Sequence, residues 1–402
     1  MLRPDTFALT ALLALLTAMG PLSVDMYLAS LPAIERALSA TTAQVQLTIS
    51  IYLVGFALAQ VIYGPLCDRY GRRPVLLAAL GIFTVATLLC AAAPTIVVLE
   101  GGRFVQALGG AGATVIARAI VRDLYSGARA GRELSLMGAT MALAPIVAPV
   151  IGGALQIVFG WRASFILMVA VGTGIAAVVW RLLPETLLRR SPEPISIGSI
   201  VRGYGGFLRT SSFRAYLGII ACSYGGLFAW ISGSAFVLQQ IYGLDPFTFG
   251  IGFGISTAGY LLGTLVATKI VMRIGIGSTI GIGATVQALG GSIMLLPEIF
   301  GFSSAVWILA AIAMYLGGMG LTGPQAMAGA LTPFPQQAGA ASSLFGFVQQ
   351  TWSAMLGAAV GALLVYGAWP MAAAIACMGL LTLLIWAVTR DARQPRDRPT
   401  AG

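Results

Sequence analysis

Apolar residues run through this chain in blocks of roughly twenty, interrupted by short clusters of charged residues, glycine and proline. At ~1.5 Å per helical residue such a block matches the ~30 Å hydrocarbon core of a bilayer. The pattern predicts about twelve membrane-spanning helices, near 8–32, 45–66, 75–94, 97–120, 134–158, 163–183, 214–238, 248–268, 276–297, 304–328, 339–366 and 370–389. The longest polar interruption, 184–213, divides them six and six. The expected fold is therefore an all-α membrane protein of two six-helix bundles. Residues 1–183 form the N-terminal bundle, 184–213 a linker with an amphipathic piece at 197–209, and 214–402 the C-terminal bundle with a short tail.

Composition demands the same environment. Of 402 residues, 58% are hydrophobic and 9% charged, and the mean hydropathy is +0.91. A soluble domain carries about 25% charged residues, so the partner here is a lipid bilayer. The 51 glycines favour close helix–helix packing through small faces. With the N-terminus placed in the cytoplasm, all of the 23 Lys+Arg except Arg36, Arg103 and Arg162 fall in cytoplasmic segments or helix ends. This positive-inside bias places both termini in the cytoplasm. It also accounts for the net charge of +10, and no nucleic-acid partner is needed to explain it. The first span carries Pro21 and Asp25 and is too long for a cleaved signal peptide. There is no histidine, and the four cysteines are scattered. No metal, cofactor or disulfide framework is expected.

Between the second and third spans stands Gly-Pro-Leu-Cys-Asp-Arg-Tyr-Gly-Arg-Arg, residues 64–73. Gly64 would let helix backbones come close, and Gly71 allows a tight turn with φ > 0. Arg69, Arg72 and Arg73 put positive charge where the chain leaves the membrane, and Asp68 beside them can trade partners between conformations. If the two halves are repeats, a related segment belongs between spans eight and nine. There, with Gly275 set on Gly71, Arg273 falls on Arg69, but Met272 replaces the aspartate.

Ionisable side chains inside a bilayer are costly, and each is a functional candidate. The first span holds Asp25; the fourth holds Arg103 with Glu100 one turn earlier. Asp25 and Arg103 lie at similar depth, about 10 Å from the outer boundary at ~1.5 Å per residue. Arg103 can pair with Asp25 across the bundle, or with Glu100 on its own helix. Both pairings stay open at this point. A competing role for these charges is to lock helices together, although ion pairs inside a membrane stabilise poorly. Asp123 lies at the cytoplasmic end of span four. In span five, Pro145 and Pro149 share one face and Gly152-Gly153 follow, giving a bent helix that a neighbour can approach closely. Tyr27, Trp230, Phe236, Gln239, Gln325 and Gln349, together with Asp25, are candidates for the wall of a cavity that accepts bulky, mainly apolar molecules.

The 64–73 segment matches G-x-L-x-D-R-x-G-R-[RK], the pattern between the second and third helices of major facilitator superfamily transporters. Ser23 to Leu28, Arg103-Phe104-Val105-Gln106, Arg122-Asp123, the Ala-Pro-x-x-Ala-Pro-x-x-Gly-Gly run ending at Gly153, and Leu183-Pro184-Glu185-Thr186 extend the likeness. Across nearly its whole length the chain resembles the drug:proton antiporters of that superfamily, in the Bcr/CflA group. The resemblance implies that Asp25 is the proton- and substrate-linked carboxylate and Arg103 the arginine tied to proton movement. It further implies that Asp68, Arg72 and Asp123 form a cytoplasmic gating network, and that Pro149, Gly152 and Gly153 belong to the antiporter motif. Ala148 stands where the wider superfamily has glycine.

The expected function is proton-driven export of hydrophobic drugs by a monomer of the inner membrane, with a small-molecule substrate and protons as partners. The rival is an exporter of a native amino acid or sugar with incidental drug efflux. An enzyme is not expected, since no carboxylate cluster or nucleophile system is present.

Overall fold

A computed structural model describes residues 6–125, 127–187, 197–302, 304–334 and 337–393, and among these every regular element is a helix. In the N-terminal part they are α1 (Phe7–Asp25), a 3₁₀ turn at Leu28–Ser30, α2 (Leu31–Ala37), α3 (Thr42–Tyr70), α4 (Arg72–Ala91), α5 (Ile96–Leu124), α6 (Gly127–Phe159) and α7 (Arg162–Leu182). There follow α8 (Ile197–Arg209), α9 (Ser211–Phe236) with a π-helical extension Val237–Ile241, α10 (Pro246–Phe300), α11 (Ala305–Leu331), α12 (Ala338–Leu363), α13 (Trp369–Val388) and α14 (Arg390–Arg393).

Eleven stretches among the described residues are long and apolar enough to cross a membrane, and α10 is two crossings in one. Its 55 residues would reach about 80 Å as a single rod, more than twice a bilayer. Gly275, at φ 78° and ψ 168°, breaks it into limbs 246–274 and 276–300. Twelve crossings result. In the first six, α5 packs on α1, α3 and α4, α4 packs on α7, and α1 packs on α6. In the second six, α10 packs on α11 and α13, and α9 packs on α11, α12 and α13. Two pairs join the sets most extensively, α3 with α12 and α6 with α10.

Two elements differ from the sequence expectation. The compact loop expected at 64–73 is mostly helix: α3 runs on through Tyr70, Gly71 alone leaves helical geometry (φ 106°, ψ 155°), and α4 begins at Arg72. Polar residues satisfied at the membrane edge do not end a helix, whereas a residue with positive φ does. Nor does Gly64 bring backbones together, because nothing lies within 4 Å of where its Cβ would stand. The first crossing, expected as one rod, is broken just after Asp25 and resumes in the 3₁₀ turn and α2.

The amphipathic linker piece expected at 197–209 is α8. It is docked by Phe207, whose ring centroid lies 4.9 Å from that of Phe334 and 5.9 Å from that of Phe213. The linker residues 188–196 and the termini 1–5 and 394–402 lie outside the described residues.

Candidate functional site

A cavity of ≈ 420 Å³ lies between the two sets of six helices. One wall comes from α1, α3, α5 and α6, the other from α9, α10, α11 and α12. The helices contribute their middles and the parts nearer the 64–73 end: Tyr52 to Gln60 of α3, Thr114 and Arg118 of α5, Gly138 to Pro145 of α6. Phe56, Leu227, Phe228, Phe253 and Met319 make most of the surface apolar, with Gln60, Tyr224, Tyr260, Gln349 and Gln350 as polar points.

Asp25 lines this cavity at the broken end of α1. Its side chain is buried, and its carboxylate makes no ion pair with any described residue, since both such pairs belong to Arg72. The same break brings the Met26 carbonyl against Gly152, where an added Cβ would collide with that oxygen. Gly153 meets the Pro246 backbone, and Gly250 meets that of Pro149. The Pro-Gly run of α6 is thus a bearing surface, touching the α1 break on one side and α10 on the other. Pro145, one turn before Pro149, faces the cavity.

Arg103 is completely buried beside the same break. Nη1 donates to the Ser23 carbonyl (3.0 Å) and to Gln106 Oε1 (2.5 Å). Gln106 in turn donates to Thr87 Oγ1 at 2.8 Å. The guanidinium carbon lies 4.2 Å from the ring centroid of Tyr52 and 4.5 Å from that of Tyr27, an arrangement that offsets part of its desolvation. Nε and Nη2 have no hydrogen-bond partner among the described residues. Neither pairing left open by the sequence, with Asp25 or with Glu100, is made in this conformation. Tyr52 links the two environments, lining the cavity with Asp25 while one face of its ring carries Arg103.

At the 64–73 end, Arg72 holds a latch within the first helix set. Nε and Nη2 donate to the two Asp123 oxygens (2.8 and 3.3 Å), and Nη1 donates to Asp68 Oδ1 (2.5 Å). Glu185, just past α7, accepts from the backbone N–H groups of Arg72 (2.9 Å) and Arg73 (3.2 Å), capping α4. The side chain of Arg73 donates to the Trp180 carbonyl, and Arg69 stacks on Tyr70 at 5.6 Å. Glu185 also occupies the space a Cβ on Gly71 would need, so glycine there serves both the turn and the cap.

At the opposite end the two sets are closed against each other. Gln239 donates to the Ala29 carbonyl (3.1 Å) and Gln240 to Glu35 Oε2 (2.7 Å). Gly357 of α12 packs on Ser232 and Ser50, and Gly361 on Gln46. The side-chain polar atoms of Gln46, Ser50, Ser232 and Ser353 are buried along this seam without hydrogen-bond partners among the described residues.

Of the wall residues expected from sequence, Asp25 and Gln349 line the cavity, and Tyr27, Trp230, Phe236, Gln239 and Gln325 do not. Tyr27 is buried, its hydroxyl 2.6 Å from Thr48. Trp230 stacks behind the wall on Phe253 at 5.8 Å, and Gln239 belongs to the seam. Arg118, Tyr224 and Tyr260 were missed. The i, i+4 series Thr114, Arg118, Arg122 marks one polar face of α5, but hydropathy alone assigns such arginines to the membrane boundary.

A profile described as Major Facilitator Superfamily matches residues 13–355. The "uncharacterized MFS-type transporter YdgK" of Bacillus subtilis is 33% identical over 359 residues, 89% of each chain. The "bicyclomycin resistance protein homolog" of Haemophilus influenzae is 30% identical over 370 residues, 92% of each. "Multidrug resistance protein D" of Escherichia coli is 29% identical over 387 residues, 96% of each. The twelve crossings, the shared cavity and these likenesses agree: the chain belongs to the major facilitator superfamily of membrane transporters, and within it resembles the Bcr/CflA group.

Proposed function

We propose that the chain is a proton-coupled antiporter that exports hydrophobic drugs or antibiotics from the cytoplasm by alternating access. The observation that carries this reading is a buried carboxylate with no ion-pair partner, Asp25, on a cavity shared by both helix sets, beside a buried arginine with spare N–H donors. The names of the bicyclomycin and multidrug resistance relatives supply the substrate class. Positive-inside charge makes the 64–73 end cytoplasmic and the closed seam external, so the conformation is the one that loads substrate from inside.

The cycle follows from these parts. Residues 1–183 and 214–402 move as two bodies, with the Pro149–Gly153 run of α6 as the bearing against α1 and α10. Burial away from other charges favours the protonated form of a carboxylate, and an approaching guanidinium favours the ionised form. Movement of α1 along α5 that brings Asp25 to Nε and Nη2 of Arg103 releases a proton, and withdrawal takes one up. No histidine is needed. The latch of Arg72 with Asp68 and Asp123 exchanges partners as the cytoplasmic side closes. The whole path lies within one chain, and a monomer suffices.

The test is substrate-induced proton release from purified protein. Wild type is expected to release protons on adding a transported drug, and Asp25→Asn to release none. Normal release from Asp25→Asn would move the proton site to Glu100 or elsewhere and defeat the assignment.

A further inference from the structure

Two arginines of α5 near the cavity contrast with the partnered Arg72. Arg118 is exposed and helps to form the cavity wall. Among the described residues its one hydrogen-bond contact is Nη2 with Met141 Sδ at 3.8 Å, and no carboxylate pairs with it. Arg122, one helical turn nearer the 64–73 end, is likewise exposed and, among the described residues, without a carboxylate partner, its Nη1 reaching 3.3 Å from where a Cβ on Gly339 of α12 would stand. The Asp123 carboxylate beside them is already held by Arg72. The mouth of the cavity therefore carries uncompensated positive charge, which draws anions and repels cations.

We infer that Arg118 is the docking point for an anionic oxygen group, so that the cavity takes amphiphilic acids in preference to lipophilic cations. This rests on reading the cavity as the substrate site. A guanidinium offers paired donors that match a carboxylate or phosphonate bidentately. The Tyr224 hydroxyl, close enough to Arg118 to feel its charge, and the Gln349 amide with which it interacts are neutral polar groups on the facing wall. Beyond them Leu53, Phe56, Leu227, Phe228 and Phe253 provide an apolar chamber for the rest of the molecule. Asp25 lies deeper. Arg103, beside the α1 break, and Arg118 are separated by fifteen positions on one helix, or ~22 Å at ~1.5 Å per residue. A ligand acid held at Arg118 is thus kept away from the Asp25 carboxylate.

The experiment uses dansylglycine, its methyl ester and dansylcadaverine (acid, neutral and cation on one fluorophore), titrated by fluorescence into the full chain in phosphatidylcholine nanodiscs. Dansylglycine is expected to bind at least about tenfold more tightly than its ester, the affinity equivalent of one charge-assisted hydrogen bond, and dansylcadaverine more weakly than either. Arg118→Gln should bind acid and ester equally with ester affinity unchanged, and Arg118→Lys should keep part of the preference. Should Arg118→Gln fail to fold, the reduced preference of Arg118→Lys carries the test.

Equal binding of acid and ester to wild type, or an undiminished preference in Arg118→Gln or Arg118→Lys, overturns the inference and leaves the cavity reading standing. Failure of all three probes to bind wild type overturns both. Repetition in phosphatidylglycerol nanodiscs separates two sources of the anion. Unchanged binding keeps the site for soluble acids, and loss of dansylglycine binding assigns it to an anionic headgroup and overturns the inference.

Discussion

At Gly71 the chain passes from α3 into α4 with φ 106° and ψ 155°; at Gly275 it passes between the limbs of α10 with φ 78° and ψ 168°. The two junctions share a backbone and differ in what is attached to it. Around Gly71, Asp68, Arg72, Asp123 and Glu185 form a bonded network. Around Gly275 the corresponding positions hold Met272 and Ile276, and Met272 is 86% exposed. The same contrast recurs deeper. Arg103 of the fourth crossing donates to the Ser23 carbonyl of the first, and Tyr315 of the tenth donates to the Ser223 carbonyl of the seventh at 3.1 Å. A neutral phenol makes the tenth-to-seventh bond, and a guanidinium makes the fourth-to-first. The second junction keeps an arginine, Arg273, on the position of Arg69 but has no carboxylate in place of Asp68 and no arginine in place of Arg72.

The largest expected difference comes from removing those two donors. Arg103→Ala should abolish proton-driven export, because the group that discharges Asp25 is gone. Tyr315→Phe loses one neutral hydrogen bond, worth about 1 kcal/mol, and should still export. Drug-driven proton flux in proteoliposomes compares them, and equal loss in both would end the contrast between the halves. Next come the junction positions themselves. Asp68→Asn should slow cycling while leaving drug binding intact, through a partner exchange of ~1–3 kcal/mol, or about 5- to 150-fold in conformer ratio. Met272→Asp should change little, since no arginine occupies the position that Arg72 holds. A slowed cycle in Met272→Asp would show that the second junction also gates.

Thermal melts in detergent sharpen the backbone side of the comparison. Ala at Gly71 or Gly275 must adopt positive φ, at a cost of about 1–2 kcal/mol. Only Gly71→Ala also displaces Glu185 from the start of α4, and it should be the less stable of the two. The smallest effect concerns caps. Thr41 caps α3 in a capping box with Gln44, whereas Asp245 caps α10 by accepting from the N–H groups of Phe247 (2.9 Å) and Thr248 (3.1 Å). Bonds from Thr248 hold the Asp245 carboxyl below its ordinary pKa. Its contribution is complete above the ordinary aspartate value and fades as pH falls through the lowered folded value. Asp245→Thr should therefore flatten the acid limb of the melting curve, an effect that Thr41→Ser should not reproduce.

Much of this was legible in the sequence, because a bilayer imposes a length and a charge bias on every helix that crosses it. The twelve crossings, α8 and the positive φ at Gly71 follow from apolar runs, an amphipathic stretch and glycine placement. The break after Asp25 does not, since Met26 and Tyr27 break no rule of helix propensity and the interruption is set by tertiary contact with Gly152. The cavity wall was legible only in part. Periodicity identifies a buried face but not whether it borders packed atoms or open space, and so Trp230 and Phe253 look alike until their stacking places one behind the other. Arg118 was misplaced for a related reason: an arginine well inside a helix end is read as membrane boundary unless the cavity reaching it is known.

The closed seam has an electrical consequence. Gln46, Ser50, Ser232 and Ser353 are uncharged, and a transmembrane voltage does work only on charge that moves, about 2.3 kcal/mol per elementary charge per 100 mV. Parting the buried stretch of the seam displaces hydroxyls and an amide but no ion, the carboxylate of Glu35 being bonded to Gln240 outside that stretch. Membrane potential therefore does no work on these four side chains as they part.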